Sequence, residues 1–402
     1  MFNRKLVFSA ACLGMLVFGI ILTTLGSILP SLIERFAIDK ANAGSLLLLM
    51  SVGILAGALI MGPIADRYGF KALLAGSCAA VLIGLEGVAF APAFAWLTPA
   101  VLLVGVGGGI INGGTNAVVA DISEAGRSAG LSVLGIFFGV GAVGVPFLLA
   151  LLLDRFSYST LMGAVGLTLL VPIAFTAAVA FPPPKQAQGF PIRQATSLIR
   201  EPFILLLGLM LFLESGIEIT IGGWTSTFFK EELAIQGRQA LFYLSIFWLG
   251  MMLMRLAMGT ILRNARPARV LVSCITLAFV ASLLLLGSHA RAPGAAAVFL
   301  LGAGLAAAFP LVFSYVGGRY AALTGTAYSI VLVMALTGGS ILPWVTGVLG
   351  QRYGLRVSLV IVPIALALQL ALFALALRRL GRETAAATGG DVVASGSAAA
   401  TH

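Results

Sequence analysis

Two acidic side chains lie inside a long apolar segment of the chain, where carboxylates are costly. Residues 203–229 form an apolar run that contains Glu214 and Glu218. Their four-residue spacing places both carboxylates on one face of a helix, one turn apart. In a membrane span that begins near Ile204, they lie about 15 and 21 Å from its start, close to mid-depth. An acidic residue there costs about 2.5 to 3.5 kcal/mol and therefore faces a protein interior or a wet cavity.

The composition excludes an ordinary water-soluble protein. Hydrophobic residues make up 60% of the 402 residues and charged residues only 9%, against about 25% charged in a typical soluble domain. The apolar residues form runs of about twenty residues without alternation, which predicts spanning helices rather than barrel strands. The net charge of +10 does not indicate a nucleic-acid partner, because the basic residues lie in short segments between the runs, as orientation signals do.

The pattern predicts an all-α membrane protein with twelve transmembrane helices in two six-helix bundles. The polar break at 182–202 contains three consecutive prolines and is interpreted as a cytoplasmic linker. It separates an N-terminal bundle at 1–181 from a C-terminal bundle at 203–381. The predicted spans run over residues 7–29, 43–64, 72–90, 96–119, 129–153, 159–181, 203–229, 240–262, 270–286, 294–316, 327–349 and 357–377.

The two ends of the chain are expected on the same side of the membrane. Lys and Arg are more frequent in the segments on that side, which predicts cytoplasmic termini in a multi-pass protein of a cell membrane, the inner membrane in a bacterium. The Ala, Gly, Ser and Thr-rich segment 382–402 is expected to be a disordered cytoplasmic tail.

The two halves share residues at one fixed offset. Gly26 and Gly223 are 197 positions apart. Parallel repeats of six spans are a transporter architecture, with the substrate site between the halves near mid-depth. The repeat therefore predicts a central cavity lined by spans 1, 4, 7 and 10. The same offset relates Gly53 to Gly250, Gly62 to Gly259, Gly105 to Gly302, Gly107 to Gly304, Gly141 to Gly338, Pro146 to Pro343 and Arg155 to Arg352.

The segment after the second span carries a motif that suits a tight turn at the inner surface. Glycine permits the turn, an aspartate can cap the next helix, and basic residues hold the loop on the inner side. The motif resembles the signature loop of the major facilitator superfamily, Gly-x-x-x-Asp-Arg-x-Gly-x-Arg/Lys, and the resemblance covers the whole span region. It implies transport by alternating access, with the gating residues Gly62, Asp66, Arg67, Gly69 and Lys71.

Further motifs together resemble the fucose–galactose–glucose:proton symporter subfamily, which implies sugar uptake coupled to protons. Span 1 has no acidic residue and span 4 offers only Asn112 and Asn116, whereas fucose permeases of that group carry acidic residues in both. The motifs are Gly105-Val-Gly107-Gly-Gly109 with the two asparagines, Phe137-Phe138-Gly139 with Gly144-Val-Pro146, Gly216-Ile-Glu218 with Gly222-Gly223-Trp224, Phe247-Trp248-Leu-Gly250, and Gly302-Ala-Gly304 with Phe309-Pro310.

Four further residues are candidates, besides the two glutamates, for binding solute or protons. Arg255 lies about 10 Å from the inner edge of span 8 and needs a partner or a cavity. It either forms a structural ion pair, snorkels to the surface, or lies between Glu214 and the solute. Asn112 and Asn116 either pack against neighbouring helices or line the cavity. Trp224 either flanks a sugar or anchors at the membrane interface.

Span 7 is expected to carry the coupling chemistry. Glu218 is predicted to load a proton from the outer side, whereas Glu214 stays charged because it lies nearer Arg255. Gly222 and Gly223 are predicted to bend or unwind the span and to serve as the outer gate. The alternative is that both carboxylates only hydrogen-bond neighbouring helices.

No motif indicates an enzyme. The sequence has no phosphate-binding Gly-x-x-x-x-Gly-Lys-Ser/Thr loop, which disfavours an ATP-driven pump, and no catalytic or metal-ligating set. We expect no cofactor, with a proton gradient as the energy source, and a monomer whose partners are the bilayer and a small-molecule solute. The alternatives are a drug or metabolite exporter of the same superfamily and a non-transporting membrane sensor. Val145 interrupts the Gly-Pro pair that many such exporters carry in span 5, which favours uptake.

The signature loop generates a first prediction. Asp66→Asn should slow transport more than it weakens solute binding, because the loop lies at the membrane surface, far from the cavity. Transport rates in proteoliposomes and binding to the purified protein would be measured in parallel. A variant that transports at the wild-type rate would contradict the gating assignment.

Overall fold

The described part of the chain is built from helices joined by short turns, and no strand occurs within it. The structure, a computed structural model, describes residues 2–122, 127–183, 198, 200–262, 264–320 and 324–398, with the side chains at 66, 127–129, 132, 324–326 and 380–398 left aside. Twelve helices are long and apolar enough to cross a membrane, which confirms the predicted fold class. They are α1 (Arg4–Phe36), α2 (Lys40–Ala65), α3 (Arg67–Ala89), α4 (Phe94–Ile122), α5 (Val133–Leu152), α6 (Tyr158–Ala178), α7 (Pro202–Glu232), α8 (Gly237–Gly259), α9 (Pro267–Gly287), α10 (Arg291–Arg319), α11 (Ala327–Tyr353) and α12 (Leu355–Arg379).

Two segments lie outside the predicted bundles, the linker and the segment after α12. Most of the predicted linker, residues 184–197 and 199, lies outside the described residues. The segment after α12 was expected to be disordered from residue 382, but the helix that begins at Ile361 continues through Ala398. Alanine has the highest helix propensity of all residues, and the segment is rich in it, which explains this difference.

The signature loop forms the tight connection that its glycine predicts. Gly69, near the start of α3, has φ 79° and ψ 164° and interrupts the helical backbone there, a conformation that side chains with a Cβ rarely adopt. Arg67 and Lys71 are exposed at this turn, and the Arg67 guanidinium lies 5.3 Å from the ring centroid of Tyr68. Gly62 has open space beside it, and the side chain of Asp66 lies outside the described part. The gating role of these five residues stays a prediction.

The fixed offset corresponds to the same helix contact in both halves. A Cβ on Gly105 would collide with the carbonyl oxygen of Met50, where α4 crosses α2. A Cβ on Gly302 would collide with the carbonyl oxygen of Phe247, where α10 crosses α8. Met50 and Phe247 are themselves 197 positions apart. The repeated glycines therefore mark equivalent places where two backbones touch, as small residues do in membrane helix packing.

An arginine closes the end of the third helix in each half. Arg35 donates to carbonyl oxygens at and just after the end of α3, and Arg356 donates to the corresponding carbonyl oxygens of α9. These carbonyls have no partner within their own helix, so a cation satisfies them and complements the helix dipole. The bonds are Arg35 to Ala89 at 3.5 Å and to Ala91 at 3.1 Å, and Arg356 to Leu286 at 2.6 Å and to Ser288 at 2.8 Å.

The repeat does not relate the two arginines to each other. It relates each arginine to the side chain that the other arginine contacts. In the N-terminal half Arg35 donates to Ser159 at 3.1 Å. In the C-terminal half Arg356 forms an ion pair with Glu232 at 3.3 Å. The offset of 197 relates Arg35 to Glu232 and Ser159 to Arg356. The location of the positive charge is thus repeated, while the helix that supplies it differs.

The glycine contacts generate a prediction about stability. Gly302→Ala should lower the free energy of unfolding by about 1–3 kcal/mol, because its Cβ is forced against backbone that cannot yield. Gly287→Ala is the matched control, since nothing lies within 4 Å of a Cβ there. Thermal unfolding of both purified variants would be compared. Equal melting temperatures would show that the α8–α10 contact is looser than described.

Candidate functional site

A cavity of about 1530 Å³ lies between the two halves. It is lined by α1, α4, α7 and α10, as the repeat predicts, and also by α2, α5, α8 and α11. Its wall is mostly apolar and aromatic, which is typical of small-molecule sites. The polar side chains on it are few and include Asn112, Ser215, Glu218, Arg255 and Ser314.

The cavity extends to one side of the bundle. The terminal side is defined here by the start of α1 and the end of α12, and the distal side by the turn between α1 and α2. Met258 and Thr260, at the terminal-side end of α8, line the cavity, and so does Tyr328 near the start of α11. The cavity therefore reaches from mid-depth toward the terminal side.

Ion pairs between the halves hold the distal side closed. Lys230 at the end of α7 pairs with Glu34 at the end of α1, and Arg238 pairs with Asp154. Lys40 pairs with Glu231 at 3.0 Å. Each of these pairs joins the N-terminal half to the C-terminal half. We refer to these three pairs as the distal latch.

Close backbone contacts complete the distal closure beneath the latch. A Cβ on Gly26 would collide with the carbonyl oxygen of Gly222, which brings α1 and α7 into direct contact. A Cβ on Gly223 would lie 2.7 Å from Leu47 of α2. The structure is thus sealed on the distal side and open on the terminal side, one of the two states that alternating access requires.

The glycine pair of α7 does not break the helix. Helical backbone continues from Pro202 to Glu232 without interruption, so α7 is not unwound at Gly222-Gly223 in this state, and the predicted bend stays a prediction. The absence of a side chain at these two positions instead allows close contact with α1 and α2. A hinge in the opposite state stays a prediction.

Trp224 lies away from the cavity. Its side chain is fully buried, and its Nε1 donates to the carbonyl oxygen of Pro343 at 2.9 Å. Pro343 lies within α11. The sequence-based expectation of a solute contact is therefore wrong for this state, because Trp224 packs α7 against α11.

Glu218 and Arg255 both line the cavity. Glu218 is 7% exposed, and Arg255 lines the same cavity from α8. The Arg255 guanidinium lies 5.6 Å from the ring centroid of Phe138. Within the described part of the chain, no carboxylate forms an ion pair with Arg255. The cavity therefore contains a cation that is held by an aromatic face and available to a ligand.

Glu214 lies outside this arrangement. It is fully buried and does not line the cavity. Gln369 of α12 donates from Nε2 to Glu214 Oε2 at 2.9 Å and to the Met210 carbonyl at 3.2 Å. The sequence-based interpretation placed Glu214 beside Arg255 and missed Gln369. The sequence carried a signal for Gln369, because it is an amide in the middle of an apolar span, as the candidate Asn112 is.

The two asparagines of α4 have different surroundings. Asn112 lines the cavity. Asn116 does not, and its Nδ2 donates to the Asn112 carbonyl at 2.8 Å and to Asn112 Oδ1 at 3.1 Å. Asn116 thus orients Asn112 rather than reaching the cavity itself.

The distal latch generates a prediction about conformation. Lys230→Glu should place two carboxylates together and speed maleimide labelling of a Leu47→Cys reporter, which Gly223 covers in the closed state. The change should be at most about five-fold, since an exposed ion pair contributes about 0.2–1 kcal/mol. The native cysteines are buried, which keeps their background low.

The charge-swapped variant provides the control for this experiment. Glu34→Lys with Lys230→Glu should return labelling toward the unmodified rate, because the pair is restored with opposite polarity. Arg352→Glu changes an exposed charge on the same side outside the latch and should have little effect. Equal labelling in all variants would show that the apolar contacts alone close this side.

Comparison with known proteins identifies the family of the chain. The family model described as Major Facilitator Superfamily matches residues 11–343. An uncharacterized transporter, y4wD of Sinorhizobium fredii, is 25% identical over 361 residues, 88% of this chain and 94% of that one. The 4-hydroxybenzoate transporter PcaK of Pseudomonas putida is 30% identical over 152 residues, 36% of this chain and 32% of its own.

Solved structures share the fold at low identity. A structure of the nucleoside transporter NupG superposes with a TM-score of 0.77 at 16% identity, covering 93% of this chain and 99% of that one. The family match spans most of the sequence, and the relatives are transporters rather than enzymes. The chain therefore belongs to the Major Facilitator Superfamily, and the protein is a multi-pass membrane transporter of a small solute.

Proposed function

We propose that the protein is a proton-coupled symporter for small organic anions that carry an aromatic or apolar body. The observation that carries this proposal is Arg255, a cation in an apolar cavity with no ion-pair partner among the described residues. A charge in such surroundings is costly unless a ligand pairs with it. A planar guanidinium is well suited to the two oxygens of a carboxylate.

The wall around Arg255 suits the rest of such a solute. Phe18 and Phe138 line the cavity from the N-terminal half, and Phe309, Phe313 and Tyr328 line it from the C-terminal half. Rings of this kind hold an aromatic solute by offset or edge-to-face contact. The partial relative PcaK is a transporter of 4-hydroxybenzoate, a ring with a carboxylate, which supports this class.

Glu218 supplies the proposed link between solute and proton. With Glu218 ionised, its charge offsets that of Arg255 across the same cavity. A proton on Glu218 removes that compensation, so Arg255 then attracts an anionic solute. Solute and proton therefore enter together, and the cavity's net charge is the same when empty and when loaded. Movement of the loaded site costs no additional buried charge.

Rocking of the two halves would carry the loaded site across. Alternating access requires a second state in which the terminal side is closed and the distal side is open, reached by rocking of one half against the other around the site. With the orientation that Lys and Arg predict, the present state faces the cytoplasm, and solute enters from the distal side.

A sugar is the second candidate solute. Asn112 offers an amide to the cavity and Ser215 and Ser314 offer hydroxyls, and aromatic faces commonly flank sugar rings. This agrees with the resemblance to the fucose–galactose–glucose:proton symporters. Export of drugs or metabolites remains the alternative direction for either solute.

A thermal-shift screen tests the solute class. Purified protein would be heated with aromatic carboxylates, sugars and amino acids, because a ligand that binds only the folded state raises the melting temperature. Aromatic carboxylates should give the largest shift, and Arg255→Gln should abolish it. Arg352→Gln removes an exposed arginine far from the cavity and should preserve the shift. Shifts by sugars alone would favour the second candidate.

Substitution of Glu218 tests the coupling. Glu218→Gln should abolish proton-driven accumulation but leave exchange of solute for solute, because the amide cannot release a proton. Liposomes that contain a pH-sensitive dye would report both fluxes. Glu86→Gln, outside the cavity, is the matched control. Proton movement with solute at the wild-type ratio in Glu218→Gln would exclude Glu218 as the coupling site.

A further inference from the structure

The buried pair between α7 and α12 has an unusual pattern of hydrogen bonds. Gln369 Nε2 donates to Glu214 Oε2 at 2.9 Å. Both side chains are completely buried. The second oxygen of each group, Glu214 Oε1 and Gln369 Oε1, is also buried and has no hydrogen-bond partner. Two acceptors are therefore left without a donor in one small site.

Such orphaned acceptors are uncommon in the interior of a protein. Buried polar atoms are almost always hydrogen-bonded, and an ionised carboxylate there requires a cation or several donors. Glu214 has one donor, a neutral amide. The titratable and charged groups that act on it are Glu218 on the same helix, Arg255 on α8 and Cys274 on α9. None of these three donates a hydrogen bond to it in the described structure.

A single proton between the two groups would give both unpartnered oxygens a hydrogen bond. A hydrogen on Glu214 Oε1 makes that atom a donor. The amide that already binds the carboxyl carries an acceptor without a donor, Gln369 Oε1. We propose that Glu214 is a permanent proton-binding site, in which Oε1–H donates to Gln369 Oε1. Acid and amide then form a neutral pair with two hydrogen bonds, which fastens α7 to α12.

This pair acts as a positioning element behind the cavity. Glu218 is one turn further along α7 and faces the solute space, so a fixed α7 keeps Glu218 opposite Arg255. A neutral Glu214 also adds no second negative charge beside Glu218. This consequence rests on the proposed function: with proton coupling at Glu218, only Glu218 exchanges its proton, and one proton moves in each cycle.

Infrared spectroscopy of the full-length protein tests the protonation directly. Wild type, Glu214→Gln and Glu218→Gln would be compared at neutral pH. The carbonyl stretch of a protonated carboxylic acid should disappear in Glu214→Gln and persist in Glu218→Gln. If Glu214→Gln instead removes a carboxylate band, Glu214 is ionised and the proposal is overturned. This readout does not depend on solute identity or transport.

Thermal unfolding tests the double hydrogen bond. Glu214→Gln should melt at or above the wild-type temperature, because the new amide can donate to Gln369 Oε1 and accept from Nε2. Gln369→Leu should melt lower, since it leaves the carboxyl without either bond. Adding Glu214→Leu to Gln369→Leu should recover part of the loss. A Glu214→Gln protein that melts as low as Gln369→Leu would show that the charge of Glu214, and not the pair, stabilises the helices.

Transport then serves as a separate readout. Glu214→Gln should retain proton-coupled accumulation at the wild-type proton-to-solute ratio, because the amide reproduces the neutral pair. Loss of coupling in this variant would make Glu214 an exchanging site and contradict the proposal, even if Arg255 and Glu218 behave as proposed above.

Discussion

The cost of burying charge governs the arrangement of this protein. Within a hydrocarbon layer, a charged or polar group must reach water or find a partner. Outside the cavity, Lys40, Lys230 and Arg238 lie near helix ends, where each pairs with a carboxylate of the other half. Inside, Glu218 and Arg255 border the cavity, and Glu214 is bonded to an amide. The residues proposed to carry function are thus the charged side chains that lie inside the spans and are not at the membrane surface.

Small residues decide how the helices meet. Contact between backbones at Gly105 and Gly302 makes each half compact, and contact at Gly26 and Gly222 closes one side between the halves. The first kind of contact lies within a half and can persist through a transport cycle. The second kind joins the halves and must be broken when the distal side opens. The same residue type therefore supports rigid units and a reversible closure.

Much of this architecture could be predicted from the sequence, because hydropathy and repetition are local or periodic signals. The twelve spans, the repeat and the turn at Gly69 follow from runs and spacings. The site was predicted less completely. Gln369 is 155 positions from Glu214, and nothing local indicates that α12 packs against α7 at that level. The continuous helix at Gly222-Gly223 was missed for a related reason, since a glycine that permits a bend also permits a close neighbour.

The arginines at the ends of α3 and α9 have a consequence for how the two halves are compared. In the N-terminal half the cation comes from Arg35, and in the C-terminal half from Arg356. Aligned by the offset, each arginine faces a different residue type, so a column-by-column comparison scores both positions as unrelated. The pseudosymmetry retains a positive charge at the same place in both halves, at the end of α3 and at the end of α9. The two halves should therefore be compared by position in space. The residue at an equivalent position can come from one helix in one half and from a neighbouring helix in the other.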